Sequence, residues 1–368
     1  MKALGIDPGT GSFDLCCIGD DVGLLHLDES VPSSLVAREP EKVLGMILDV
    51  GPDVVVGPSG YGLAFKKLDE IDELDLALTT LEKASDGGIS VLSGVRRLLR
   101  LMREAGLNAY TLPGVIQLPT VPSHRKINRI DLGTADKTCV AAYAVWDQAS
   151  RMGLGYGDTS LICVEMGYGY NAAVGVEGGR IVDGVGGTVF PGPGYLAPGL
   201  MDGELAYLLG DFSKKLLFQG GAAFIDTGSE PSLEEFTRGR WGRYSVGWRC
   251  FLEGVVKAVA MLLAVMDERP REIILTGRLS RIPELRADVE EFLRRRTGLP
   301  ARRPANVFTR KAKDVAMGAA LIANGLAGGK YSELVDVMAI KKSEGTVLDH
   351  IRVRDFERDR VLKGLRSD

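Results

Sequence analysis

Two short segments of the chain carry the residue types that phosphate chemistry needs. Asp7-Pro8-Gly9-Thr10-Gly11 follows an apolar run at residues 3–6, and Glu165-Met166-Gly167-Tyr168-Gly169 follows another at 160–165. Both read acid-x-Gly-x-Gly, and each leads into a second apolar run and then a third. Glycine lacks Cβ, so its backbone can approach a bulky anion closely. Successive N–H groups in such a turn form a concave nest of donors for phosphate oxygens. Thr10 and Ser12 add hydroxyl groups to the first turn, and Tyr170 and Asn171 close the second as candidate nucleotide contacts. The acids repel phosphate, so the role open to Asp7 and Glu165 is to hold a Mg²⁺ ion through water. That ion bridges the β- and γ-phosphates of ATP. One such turn is ordinary hairpin chemistry. Its repetition at the head of two successive halves indicates a duplicated unit that clamps a triphosphate from both sides.

A third segment, Ile273-Ile274-Leu275-Thr276-Gly277-Arg278-Leu279-Ser280, reads as an apolar strand ending in Thr-Gly-Arg, with Ser280 as the N-cap of a following helix. Gly277 lets the flat face of adenine or ribose lie against the backbone. Other phosphate motifs are missing. Gly328-Gly329-Lys330-Tyr331 ends in the wrong residue for a P-loop, and no G-x-G-x-x-G occurs.

Candidate catalytic residues lie just before and in the helix that ends the first half. A carboxylate acceptor is already ionised at neutral pH and needs cations rather than a base. Arg125, Lys126, Arg129 and Lys137, with His124 beside them, are placed to supply these, or form a solvated basic patch at a helix start. A hydroxyl acceptor instead needs a carboxylate base. Asp131 and Asp136 are the candidates for it, and Asp131 reads equally well as a helix cap and Asp136 as a first-turn acid.

The elements that must position these groups alternate strand and helix. Strands are predicted at 3–6, 13–18, 22–27, 53–56, 160–165, 170–176, 180–182 and 272–275. Helices are predicted at 37–48, 89–105, 135–150, 246–266, 283–296 and 311–326. A Gly/Pro loop spans 184–199, a glycine-rich stretch at 152–159 marks a boundary, and the last forty residues are charged. With 368 residues the chain suits two domains. Apolar residues make up 45% and charged residues 26%, and 45 basic against 49 acidic side chains leave a formal charge of −4. That balance offers no general attraction for nucleic acid or an anionic membrane. The five cysteines are scattered and the three histidines lack ligand spacing, so buried thiols in a reducing cytosol are expected and structural zinc is not. No leader or spanning segment is read, and a soluble cytoplasmic protein is the expectation.

Hairpin, helices, hairpin, helices and a late Thr-Gly-Arg are similar to the phosphate-1, phosphate-2 and adenosine motifs of the actin, Hsp70 and sugar-kinase (ASKHA) superfamily. The resemblance covers residues 2–327. It implies an α/β, two-domain ribonuclease H-like (actin-like ATPase) fold with a nucleotide cleft between the domains. The expected domains are 1–155 and 156–330, with a helical tail at 331–368 packing back on the first.

Several stretches resemble butyrate kinase within that superfamily. Asp53-Val54-Val55-Val56-Gly57-Pro58-Ser59-Gly60 is similar to that family's strand and loop beside the acyl site. Gly179 to Asp183, the loop through Gly192-Pro193-Gly194, and Lys214-Lys215-Leu216 to Gly220-Gly221 are similar to later segments. Order and length resemble the archaeal DUF1464 proteins, a family named as predicted butyrate kinases. The resemblance implies phosphoryl transfer from ATP with Mg²⁺ to a short-chain carboxylate, giving an acyl phosphate and ADP, with Gly57, Ser59 and Gly60 beside the acceptor, Phe190 and Tyr195 as an apolar wall, and a homodimer. Three departures stand out. Pro58 replaces an arginine, Asp136-Lys137 replaces a basic pair, and Asp7 replaces the usual asparagine. These weaken the substrate assignment and leave the fold assignment intact. The alternatives are a nucleotide-switched ATPase without a small-molecule acceptor, or a kinase for a hydroxylated one.

Overall fold

The computed structural model describes residues 1–86, 89–240 and 245–365. In the first lobe β1 (Ala3–Pro8), β2 (Ser12–Ile18) and β3 (Leu25–Pro32) form an antiparallel meander. β4 (Val54–Val56), β5 (Lys66–Lys67) and β6 (Ala109–Thr111) complete a sheet of order β3-β2-β1-β4-β6-β5, with β1, β4 and β6 parallel. β1 and β2 are buried almost throughout, which is why, apart from the buried Asp7, Ser12 and Asp14, they read as apolar runs rather than alternating ones.

The second lobe repeats the pattern. β7 (Ser160–Met166), β8 (Asn171–Glu177) and β9 (Arg180–Gly186) form the meander, and β10 (Glu272–Thr276) and β11 (Ala301–Arg302) run parallel to β7. The order is β11-β10-β7-β8-β9. The equivalence extends to register: Asp7 sits opposite Asp14 one residue before the end of β1, and Glu165 sits opposite Ala172 one residue before the end of β7. This is the mixed α/β, actin-like fold expected from the duplicated hairpins.

Two helices join the lobes back to back. Helix Ala135–Met152 and helix Asp314–Leu326 cross at Gly318, where a Cβ would lie 1.8 Å from the Cys139 carbonyl oxygen. Only glycine permits that approach, so both helix N-termini are carried to the cleft on one rigid pair. The core of the first lobe also takes in Leu161, Cys163, Val174 and Ile274 of the second sheet, as well as Tyr331, Leu334 and Val335 of the tail.

Some elements differ from expectation. The third strand begins at Leu25 rather than residue 22, because Gly19 N–H bonds Leu24 C=O and closes a turn there. β5 and β6 have no sequence counterpart because each is only two or three residues long. The Pro283–Thr297 helix starts on proline and is preceded by a 3-10 turn at Leu279–Arg281, so Ser280 does not cap it. Ser280 instead donates its hydroxyl to Gly277 C=O at 2.7 Å. Among the described residues no helix is long and apolar enough to cross a membrane.

Candidate active site in the interlobe cleft

The two glycine turns meet across the cleft. A Cβ on Gly169 would lie 2.8 Å from Thr10 Oγ1, and one on Gly11 would lie 2.9 Å from an Arg278 guanidinium nitrogen and 3.2 Å from the Tyr168 ring. A side chain at either position would fill the space between the two turns. Asp7, Gly9, Thr10, Gly11, Glu165, Gly167, Gly169 and Tyr170 all line this one cleft, as do Gly60, Asp131, Asp136, Lys137 and Arg278.

Other residues singled out from sequence lie behind or away from it. Ser12 accepts from Arg278 at 2.9 Å and from Lys313 at 2.9 Å, bracing the first turn. Thr276 is fully buried in β10, and Asn171 is buried with its amide on Pro193 C=O. Gly277, at φ +81°, turns the chain so that Arg278 reaches the cleft, and its N–H bonds the buried Asp314 at 3.1 Å. Ser59 bonds Gly57 C=O at 3.1 Å and accepts from Leu112 N–H at 2.9 Å, which makes it a brace for the loop that presents Gly60. Phe190 is fully buried in the second lobe's core, not in the cleft wall. Arg129 and His124 are exposed. Arg125 donates to Val182 and Lys126 to Leu118 carbonyls, away from the cleft. Asp131 caps no helix: its Oδ1 accepts from Gly133 N–H at 2.8 Å, while Thr134 is the N-cap residue.

Charge is concentrated in this cleft. Lys137, at the start of the Ala135–Met152 helix, pairs with Asp136 and with Glu165 at 2.8 Å. Burial alone would lower its pKa, but Asp136 and Glu165 overcome that and raise it. Lys313, one residue before the Asp314–Leu326 helix, pairs with Asp14 and lies 3.5 Å from Asp7. Sequence reasoning missed Lys313 and Asp314, whose only signal was a basic residue and an acid at a helix start. Burial pushes Asp7 up to about 7 in spite of Lys313, and Asp14, Glu165 and Asp136 add to the rise. Burial also raises Glu165 against Lys137. Burial first, and neighbouring acids second, disfavour the ionised forms of these carboxyls, and a divalent cation would restore them. Among the described residues no three His, Cys, Asp or Glu side chains cluster as a direct metal cage. Asp7 and Glu165, two carboxylates lining one cleft, are of the donor type that would hold a hydrated Mg²⁺.

The model of the family described as "Protein of unknown function (DUF1464)" matches residues 5–353. The chain belongs to the DUF1464 family. No curated protein matches this DUF1464 protein. Among solved structures it is similar to a propionate kinase from Francisella tularensis subsp. tularensis SCHU S4, at 13% identity over 87% of this chain and 98% of that one, with a TM-score of 0.60. It is likewise similar to Porphyromonas gingivalis acetate kinase (15% identity, 86% and 98% covered, TM-score 0.55) and to acetate kinase from Entamoeba histolytica (11%, 79% and 86%, 0.53). At these identities the likeness shows the actin-like fold alone.

Proposed function

We propose that this DUF1464 protein is an ATP- and Mg²⁺-dependent phosphotransferase that forms an acyl phosphate from a short-chain carboxylate. The observation that carries the reading is the convergence of both glycine turns on one acid-rich cleft whose lining also includes the apolar Val91, Leu92, Val95 and Phe218, which we take as the wall of an acceptor chamber. The turn amides hold the phosphates, and the chamber offers an alkyl chain a dry wall next to them. Mg²⁺, when bound, neutralises charge between the phosphates and the acceptor. Lys137, Lys313 and Arg278 are held by acids, by Ser12 and by the Tyr168 ring, 5.0 Å away. Asp7 and Glu165 would hold the Mg²⁺ ion, and Lys137, which lines the same cleft beside them, would face the transferring group. An acceptor carboxylate oxygen then forms a bond to the γ-phosphorus. The bond from that phosphorus to the β,γ-bridging oxygen breaks, and its electron pair leaves on ADP. The fold shared with acetate and propionate kinases supports the acceptor class.

One observation favours a hydroxylated acceptor as a second reading. Asp131 lines the cleft with its carboxyl pushed up to about 6, chiefly by burial, which poises it to take a proton near neutral pH. ADP release measured across acetate, propionate, butyrate and a series of polyols separates the readings. Stimulation by acids that persists in Asp131→Asn supports phosphoryl transfer to a carboxylate. Stimulation by alcohols that Asp131→Asn abolishes supports the second reading. Low turnover indifferent to every acceptor removes both and leaves a nucleotide-switched ATPase.

A further inference from the structure

The chamber's outer wall does not belong to the lobe that forms the rest of it. Val91, Leu92 and Val95 come from the first lobe, whereas Phe218 comes from a segment of the second lobe that follows β9 and crosses the cleft. This strap, residues 203–221, has almost no core of its own. Its helix Gly203–Leu209 buries none of its residues, and from 203 to 220 Lys214 alone is buried, at 9% exposure. Discrete anchors must therefore decide where the strap lies.

Lys214 Nζ donates to the carbonyls of Thr80 and, at 3.1 Å, Leu81, at the end of the first-lobe helix Glu73–Thr80. Leu81 is left-handed, at φ 51°, so this helix end presents unpaired carbonyls and the negative pole of its dipole to a cation. The same ammonium stands 4.7 Å from the centre of the Tyr61 ring. Burial lowers the Lys214 pKa to about 8, opposed by Glu82, Asp86 and Asp131. Lys214 N–H also bonds Asp86 at 3.3 Å, and Lys83 pairs with Asp211 at 2.7 Å. On the cleft side, Tyr170 at the end of the second glycine turn donates its hydroxyl to Leu217 C=O and meets Phe218 edge-on at 5.3 Å. The receiving turn is held in its own right. Lys83 bridges Leu365, Ala84 N–H bonds Gly364 C=O at 3.0 Å, and Glu82 pairs with the buried Arg96 at 3.3 Å.

We propose that Lys214 is a positioning residue for the acceptor chamber: by plugging the end of the Glu73–Thr80 helix it docks the 203–221 strap across the cleft and holds Phe218 as the chamber's outer wall. The chamber as an acceptor site rests on the function proposed above; the docking does not. The strap also links the second glycine turn, through Tyr170, to the turn clasped by the C-terminal residues. Acceptor entry thereby depends on contacts far from the phosphates.

Lys214→Met keeps the aliphatic stem and removes the ammonium, and Phe218→Ala keeps the anchors and removes the wall. Hydrogen–deuterium exchange on the full chain is expected to show about tenfold faster exchange over 203–221 in Lys214→Met, with β1 and β7 unchanged, and no such change in Phe218→Ala. Where carboxylates stimulate ADP release, Lys214→Met is expected to raise their KM about tenfold with the KM for ATP unmoved, and Phe218→Ala to shift preference toward longer acids. Unchanged exchange over 203–221 in Lys214→Met overturns the inference, and so does faster exchange with an unmoved acceptor KM. If no acceptor stimulates ADP release while exchange rises as expected, the phosphotransfer reading fails and the docking stands. Should Lys214→Met not fold, Asp211→Asn, which weakens only the outer anchor, is expected to raise strap exchange by a smaller factor; no rise overturns the docking.

Discussion

Asp7 and Glu165 occupy equivalent ends of β1 and β7, and burial raises the pKa of both. The sign of the resulting pH dependence follows directly. A carboxyl with a pKa of about 7 is mostly protonated at pH 6 and mostly ionised at pH 8. Because Mg²⁺ needs the ionised form, the affinity for Mg²⁺ in the presence of ATP should fall roughly tenfold from pH 8 to pH 6. A magnesium titration of ADP release at the two pH values checks this, and Asp7→Asn should flatten the difference. Asp7→Ala, which removes the side-chain oxygens altogether, should lower kcat/KM by about 100-fold or more. Asp136 is expected to act differently. Its partners are Thr134 and Lys137, so Asp136→Asn should loosen Lys137 and raise the KM for ATP more than it lowers kcat.

At the scale of elements, the glycine turns and the crossing helices make opposite demands on glycine. Gly169→Ala places a methyl group 2.8 Å from Thr10 Oγ1 in the cleft and should weaken ATP binding, by calorimetry, about tenfold or more. Its thermal midpoint should stay within a few degrees of the parent, because nothing in the core moves. Gly318→Ala places a methyl group 1.8 Å from Cys139 C=O, backbone against backbone, at the crossing of the helices that carry Lys137 and Lys313. There the cost should be about 3 kcal/mol of unfolding free energy in urea, with nucleotide affinity weakened as a consequence of helix displacement. Finding the two effects exchanged would mean that the turns, not the helices, hold the lobes together.

Over the whole molecule the C-terminal residues behave as part of the first lobe. Tyr331, Leu334, Val335 and Met338 are buried in its core, and Asn128 N–H bonds His350 C=O. Ending the chain at Lys330 removes apolar burial of about 2 kcal/mol for each such side chain. Summed over these residues, that matches the entire stability of an ordinary domain. The truncated chain should therefore lose cooperative thermal unfolding, observed by circular dichroism. A truncated protein that melts sharply near the parent temperature would show the tail to be an appendage.

Much of the fold was legible in the chain because its signals are local. Apolar runs ending in acid-x-Gly-x-Gly announce the paired hairpins, and alanine-rich periodicity announces the helices at 135–152 and 314–326. The glycine turns that line the proposed phosphate site were legible for the same reason: the residues of each turn are neighbours in sequence. Residues that act through distance were not. Lys313 reaches Ser12, Asp14 and Asp7 only because one helix crosses β1, and Lys214 docks on Thr80 only because a strap spans two lobes. Arg129 and Phe190 show the converse, since residue type made them candidates and packing put one on the surface and the other in a core. Backbone conformation is dictated over a few residues, whereas the charge balance of a buried cleft is a sum over side chains brought together from the whole chain.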